Sequence, residues 1–110
     1  MKLPPMPFTA QAWGEVPAVE YPGETGTSQW RTVESGGLRV RVVDYGPGYL
    51  ADHWCDRGHV LYVVEGTAVV ELRDGREVAL PAGSGFQVSD HGDAAHRMRT
   101  AGGCRVFIVD

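Results

Sequence analysis

Turn-forming residues recur so often along this chain that no stretch between them is long, and this spacing constrains the fold more than any other feature. Pro22-Gly23, Gly26, Gly36-Gly37, Gly46-Pro47-Gly48, Gly58, Gly66, Asp74-Gly75, Pro81-Ala82-Gly83, Asp90 to Asp93 and Gly102-Gly103 punctuate it from end to end. Between them lie short apolar or alternating runs: Ser28 to Val33, Leu38 to Val42, Tyr49 to Cys55, Val60 to Val64, Val69 to Leu72, Val78 to Leu80, Phe86 to Val88, His96 to Thr100 and Arg105 to Val109. Each has the length and composition of a strand, and Asp74-Gly75 is a hairpin signal. No long helical periodicity occurs. The one helix candidate surrounds Thr9 to Trp13, where Thr9 can cap and Gly14 can stop it. Short strands joined by frequent turns predict an all-β, antiparallel sandwich or barrel.

With 110 residues the chain supplies one core and one domain. Residues 1 to 24 are Pro-rich and read as an N-terminal arm, leaving 25 to 110 for the β domain. Leu38-Arg39-Val40-Arg41-Val42 alternates apolar with basic, which predicts the apolar set inward and Arg39 and Arg41 on a solvated face. Glu65-Gly66 reads as a turn ending the Val60 to Val64 strand.

Charge argues against two classes of partner. The formal net charge is -4 and the basic residues do not cluster, so neither a nucleic acid nor an anionic membrane surface is expected to bind. No apolar run reaches membrane-spanning length and Met1 to Pro7 has no signal-like apolar segment, so a cytoplasmic location is expected. In that reducing compartment Cys55 and Cys104 should be free thiols.

Chemistry concentrates in Asp52-His53-Trp54-Cys55-Asp56-Arg57-Gly58-His59, which holds two of the four histidines and one of the two cysteines. In an extended strand His53 and Cys55 share a face, and a turn at Gly58 brings His59 back toward them. Imidazole and thiolate are the donors that zinc, nickel, iron or copper prefer, whereas calcium and magnesium take oxygen. The bland alternative is a loop with scattered polar residues.

Taken together, His53-Trp54-Cys55-Asp56-Arg57-Gly58-His59 and the strand end Tyr62-Val63-Val64-Glu65-Gly66 resemble the first motif of the cupin superfamily. In that comparison His53 takes the place of the motif's first histidine, Cys55 that of the second and His59 that of the glutamate. Gly83 through His96-Arg97-Met98-Arg99 resembles the second motif, with a connecting loop about two residues longer than usual. His91 is the rival for the second-motif histidine. His96 is preferred because His96, Met98 and Thr100 alternate along one strand face, while His91 lies in a polar turn. More narrowly, Tyr49 to Cys55, Arg57-Gly58-His59 and the ending Phe107 to Asp110 resemble the small DHCW-motif group of cupin-fold proteins, with the last two letters transposed as Trp54-Cys55. The resemblance implies a jelly-roll β-barrel holding one transition metal ion, zinc, nickel, iron or copper, on His53, Cys55, His59 and His96. It supplies no reaction.

Strand parity then places Leu61, Val63 and Met98 on the walls of an apolar pocket suited to a small molecule. Two functional classes follow: metal-assisted chemistry of dioxygenase, isomerase or lyase type on an unidentified small molecule, or a non-catalytic module that binds and senses a metal or metabolite. A third treats Cys55 as a redox-sensitive thiol activated by His53 or His59. Tyr62 has the wrong parity for a general base and Glu65 sits at a turn. Trp54 is expected to fill space, Arg97 and Arg99 to be solvated, and Cys104 to be a buried structural thiol. Val60, Tyr62 and Val64 on the opposite face, with Phe107 and Val109, need a cover, which predicts a homodimer unless the arm packs there.

Overall fold

The computed structural model describes residues 2–110. Nine antiparallel strands build it: β1 (Ala18–Pro22), β2 (Thr27–Ser35), β3 (Leu38–Tyr45), β4 (Tyr49–Leu50), β5 (His59–Leu72), β6 (Glu77–Pro81), β7 (Gly85–Val88), β8 (His96–Thr100) and β9 (Cys104–Val109). Among the described residues there is no α-helix, only a 3₁₀ turn at Trp13–Glu15, and no helix is long and apolar enough to cross a membrane. The turn falls later than Thr9 to Trp13. Thr9 donates to the carbonyl of Pro7 instead of capping, and Gly14 lies inside the turn it was expected to stop.

β5 organises the sheet. Its first half pairs with β9 on one edge and β7 on the other, and its second half pairs with β8 and β6. One curled layer therefore runs β1-β2-β3-β9-β5-β7 and the facing one β6-β5-β8-β4, with β5 common to both. The turn expected at Glu65-Gly66 is a bulge: the register against β9 shifts between Val63 and Glu65, and the strand continues. Inward positions are Leu61 and Val63 before the bulge and Ala68 and Val70 after it, so the alternation slips by one residue there. Gly66 makes this passage sterically feasible, with φ of 75° and a position where any Cβ would run into the carbonyl oxygen of Gly103.

The core is Val43, Leu61, Val63, Ala68, Val70, Leu80, Met98, Cys104, Val106 and Ile108. Cys104 is buried as expected, and both cysteines are free. The facing of β3 is the reverse of the expected one. Arg41 and Val43 are buried, and Arg39, Arg41 and Tyr45 line an interior cavity, while Leu38, Val40 and Val42 take the other face. Two features account for it. Inside, Asp110 accepts from both arginines. Outside, the Trp13 ring packs edge-on against Phe107, the register neighbour of Val42, and Arg31 Nη1 holds the carbonyls of Trp13, Gly14 and Val16. Phe107 on the outer face of β9 thus has a cover in Trp13, whereas Val60, Tyr62 and Val64 stay exposed at 55%, 51% and 41%.

Replacing Gly66 with Ala should destabilise the fold by more than Gly37→Ala. Gly37 also has positive φ but open space for a Cβ, so its substitution carries only the left-handed strain of about 1–2 kcal/mol, while at Gly66 the backbone of β9 must also shift. Urea unfolding of the two variants checks the order, and equal losses would contradict the steric account.

Candidate metal centre

Cys55, His59 and His96 arrive at one point by three different local routes. His96 opens β8, where its inward side chain alternates with Met98 and Thr100. Cys55 lies opposite it: Cys55 N donates to His96 O at 2.7 Å and His96 N to Cys55 O at 2.8 Å, an isolated antiparallel bridge. A residue pair that exchanges both backbone bonds projects its side chains to the same face, so thiol and imidazole are directed together. His59 opens β5 after Gly58, which presses against the end of β7 so closely that a Cβ would meet the amide nitrogen of Asp90 at 2.8 Å. No larger residue would let the chain turn there without moving that backbone.

One ligand atom from each of the three residues lies within 4.8 Å of the others. Cys55 Sγ is 3.5 Å from His59 Nε2, and the rings of His59 and His96 meet edge to face at 5.0 Å between centroids. Phe86 stands edge-on against His96 at 5.6 Å. His96 is buried, and its Nε2 has no hydrogen-bond partner. Its pKa is lowered, first by burial and then by the neighbouring His59, with Asp56 acting in the opposite sense, so the ring is neutral and carries a free lone pair at neutral pH. An unpaired nitrogen on a buried imidazole is a polar defect in a closed protein, and that imidazole grouped with a thiol and a second imidazole is a donor set for a soft or borderline metal ion.

Asp110 fixes the third donor. His59 Nδ1 lies 3.0 Å from Asp110 Oδ2, in contact with the carboxylate but off the axis of a directed hydrogen bond. This leaves Nε2 turned toward Cys55, the arrangement in which a carboxylate behind the ring orients a ligating histidine. The same carboxylate accepts from Arg39 Nε and Nη2 at 3.1 and 2.9 Å and from Arg41 Nη2 at 2.9 Å, and its side chain is entirely shielded from solvent. Burial alone would raise its pKa, but His59, Arg39 and the Arg41 charge together hold it well below the usual carboxylate range.

Other residues singled out from sequence are placed differently. Residues 51–58 are irregular apart from the Cys55 bridge, so the strand alternation that paired His53 with Cys55 does not operate. His53 stands outside the group, its side chain 75% exposed and 2.6 Å from Asp52, on the rim of the adjoining cavity. His91 lies at the surface against Asp56, at a left-handed φ of 52°. Trp54 is half-buried beneath the Arg97 guanidinium, which sits 4.4 Å over the ring and also pairs with Glu71 at 2.9 Å. Leu61 and Met98 line the cavity, with Phe86, Ile108, Trp30 and Tyr49, while Val63 is fully buried in the core. The cavity measures about 360 Å³. Arg39, Arg41 and Asp110 are the functional residues that sequence reasoning passed over. Two basic residues alternating in a strand carry no local sign of a partner some seventy positions away.

No protein-family model and no curated protein sequence matches the chain. Among solved structures it is similar to a cupin-2 domain containing protein from Shewanella frigidimarina (20% identity, TM-score 0.59, covering 74% of this chain and 78% of that one). It is similar to ectoine synthase from P. lautus (15%, TM-score 0.69, 93% and 76%). It is also similar to Fe(II)-HppE with the alternative substrate (S)-1-HPP (19%, TM-score 0.73), where it covers 94% of itself and spans 60% of the other protein.

Asp110→Asn should lower stability by about 3–5 kcal/mol at neutral pH, because it leaves two arginines without their shared counter-charge. The depressed pKa of Asp110 means its contribution is complete above the ordinary carboxylate value of about 3.9 and is lost as pH falls below it. The gap between wild type and Asp110→Asn in urea unfolding should therefore be widest near pH 7 and narrow toward pH 2. A gap that widens in acid would contradict this assignment.

Proposed function

We propose that this cupin-fold protein binds one transition metal ion through Cys55, His59 and His96 and presents it to a small molecule in the adjoining cavity. The observation that carries the reading is the convergence of one ligand atom each from Cys55, His59 and His96 within 4.8 Å, with the imidazole of His96 buried. Three protein donors from one thiol and two imidazoles suit zinc, nickel, copper or iron, and a set of three leaves coordination positions open toward the cavity. When bound there, the ion supplies Lewis acidity. The chain's own residues do the positioning: Asp110 orients His59, the Cys55–His96 backbone pair sets the other two donors, and Leu61, Phe86 and Met98 exclude bulk water. Open positions facing an apolar cavity favour metal-assisted conversion of the bound molecule, by dioxygenase, isomerase or lyase chemistry, over sensing by a saturated site. Two free thiols, one of them a ligand, suit a reducing cytoplasm.

Elemental analysis of freshly purified variants tests the ligand set. Wild type should hold one metal per chain, Cys55→Ser should lose most of it, and Cys104→Ser and His91→Ala should retain it, since one is core and the other surface. His53→Ala should also retain it, and loss there would mean that the rim loop closes onto the ion. Retention should fall as pH drops below about 6.5, where imidazoles protonate. A chain without metal after metal-supplemented expression would favour the other reading, in which Cys55, 3.5 Å from His59, is a redox-sensitive thiol.

We further propose a homodimer joined through Val60, Tyr62 and Val64, the apolar row on the outer face of β5 that residues 13–16 leave uncovered. Light scattering should return twice 11.9 kDa, and Tyr62→Glu should return the monomer. A wild-type monomer at high concentration would overturn the dimer.

A further inference from the structure

The cavity beside the three donors is lined by Arg39, Arg41, Arg57 and Arg97 and by no aspartate or glutamate, in a chain whose net charge is -4. Positive charge is therefore concentrated inside an acidic protein. Arg97 is occupied by Glu71 at 2.9 Å. Arg39 and Arg41 share the single carboxylate of Asp110, which already faces His59. Two guanidiniums on one carboxylate leave a surplus positive charge at a place where Arg41 is only 4% exposed. Arg41 Nε is buried with no acceptor, and among the described residues Arg57 makes no ion pair. Arg41 lines the cavity and gives Nη2 to Asp110, so its shared charge is only partly compensated there unless a ligand adds an acceptor.

The Arg41 guanidinium lies 4.4 Å over the ring of Trp30, a stack that holds its plane fixed, and Arg57 adds a second cation at the exposed side. Around them the walls are apolar: Leu61, Phe86, Met98 and Ile108. Because Asp110 Oδ2 touches both Arg41 and His59, a molecule anchored on Arg41 lies one carboxylate away from the donor cluster.

We propose that this cavity takes a small organic monocarboxylate with an apolar body, its carboxylate held by Arg41 and Arg57 and its body laid against Phe86 and Met98 beside Cys55, His59 and His96. The location rests on the metal reading above, but the anion site is built from residues that hold no metal. Arg57 is exposed and screened by water, so the one surplus charge in the interior is that of Arg39, Arg41 and Asp110 together, which matches a monoanion, and the volume of about 360 Å³ is at the lower end of the roughly 300–1,000 Å³ of ligand pockets.

Calorimetric titration with straight-chain carboxylates from propionate to octanoate, their amides and the matching alkylphosphonates tests the proposal, on wild type before and after chelation, with metal content measured on the same samples. At least one carboxylate should bind, and its amide should bind about tenfold more weakly or worse, since the charge-assisted bonds are lost. Arg57→Gln should weaken the carboxylate several-fold with an unchanged melting temperature. Arg41→Lys, which keeps the charge on Asp110 but removes the planar fork, should weaken it about tenfold. Equal affinity for acid and amide, no carboxylate binding at millimolar concentration, or both arginine variants binding as wild type would overturn the proposal. A phosphonate binding more tightly than every carboxylate would overturn the monoanion assignment. Carboxylate binding that persists in metal-free protein supports the anion site whatever the elemental analysis shows, so the two readings fail separately.

Discussion

Asp110 is the interaction on which the interior depends. A carboxylate with no exposed side-chain surface carries two arginines and the back of one histidine, and Arg41, 4% exposed, would be an uncompensated buried charge without it. A buried ion pair of this kind is weak as net stabilisation, because desolvation offsets much of the attraction, but it is strongly specifying: removal of either partner leaves a charge with nowhere to go. Here the specification is concrete. The carboxylate holds the basic face of β3 inward and lies behind His59, whose Nε2 meets Cys55, at the place where Arg39 and Asp110 also exchange backbone bonds.

The second constraint is the path of β5. A strand that changes sheets must break its alternation once, and the bulge after Val63 with Gly66 at positive φ does so. As a result His59, at the beginning of the strand, lies in the layer with β9 and β7, while Leu72 at its end pairs with His96 of β8. The donor cluster therefore bridges the two layers of the cupin fold at their open end. A bound ion would tie those layers together, coupling metal occupancy to fold stability.

Much of this was legible in the sequence. Turn spacing gave the all-β class and most strand positions, and the His/Cys-dense stretch from His53 to His59 contains two of the three clustered donors, Cys55 and His59. What was not legible had physical reasons. Strand parity assigns faces only where the chain is extended, so it grouped His53 with Cys55 across a stretch that is irregular. Parity also cannot say which of two alternating sets faces inward. In Leu38 to Val42 hydrophobicity pointed one way, and the outcome was decided by Asp110 on the inner face and by Trp13 near the outer one, both distant in sequence. Gly66 signalled a special conformation correctly, but a bulge and a turn ask for the same residue.

The central claim is that a thiolate and two imidazoles meet on one ion, and cobalt(II) substitution tests it most directly. Chelated protein reconstituted with one equivalent of cobalt should show an intense near-ultraviolet thiolate-to-metal charge-transfer band together with visible bands of low-coordinate cobalt. In Cys55→Ser the charge-transfer band should vanish, while in Cys104→Ser it should be unchanged. A wild-type spectrum without that band, or one that survives Cys55→Ser, would contradict the assignment of Cys55, His59 and His96 as a single metal centre.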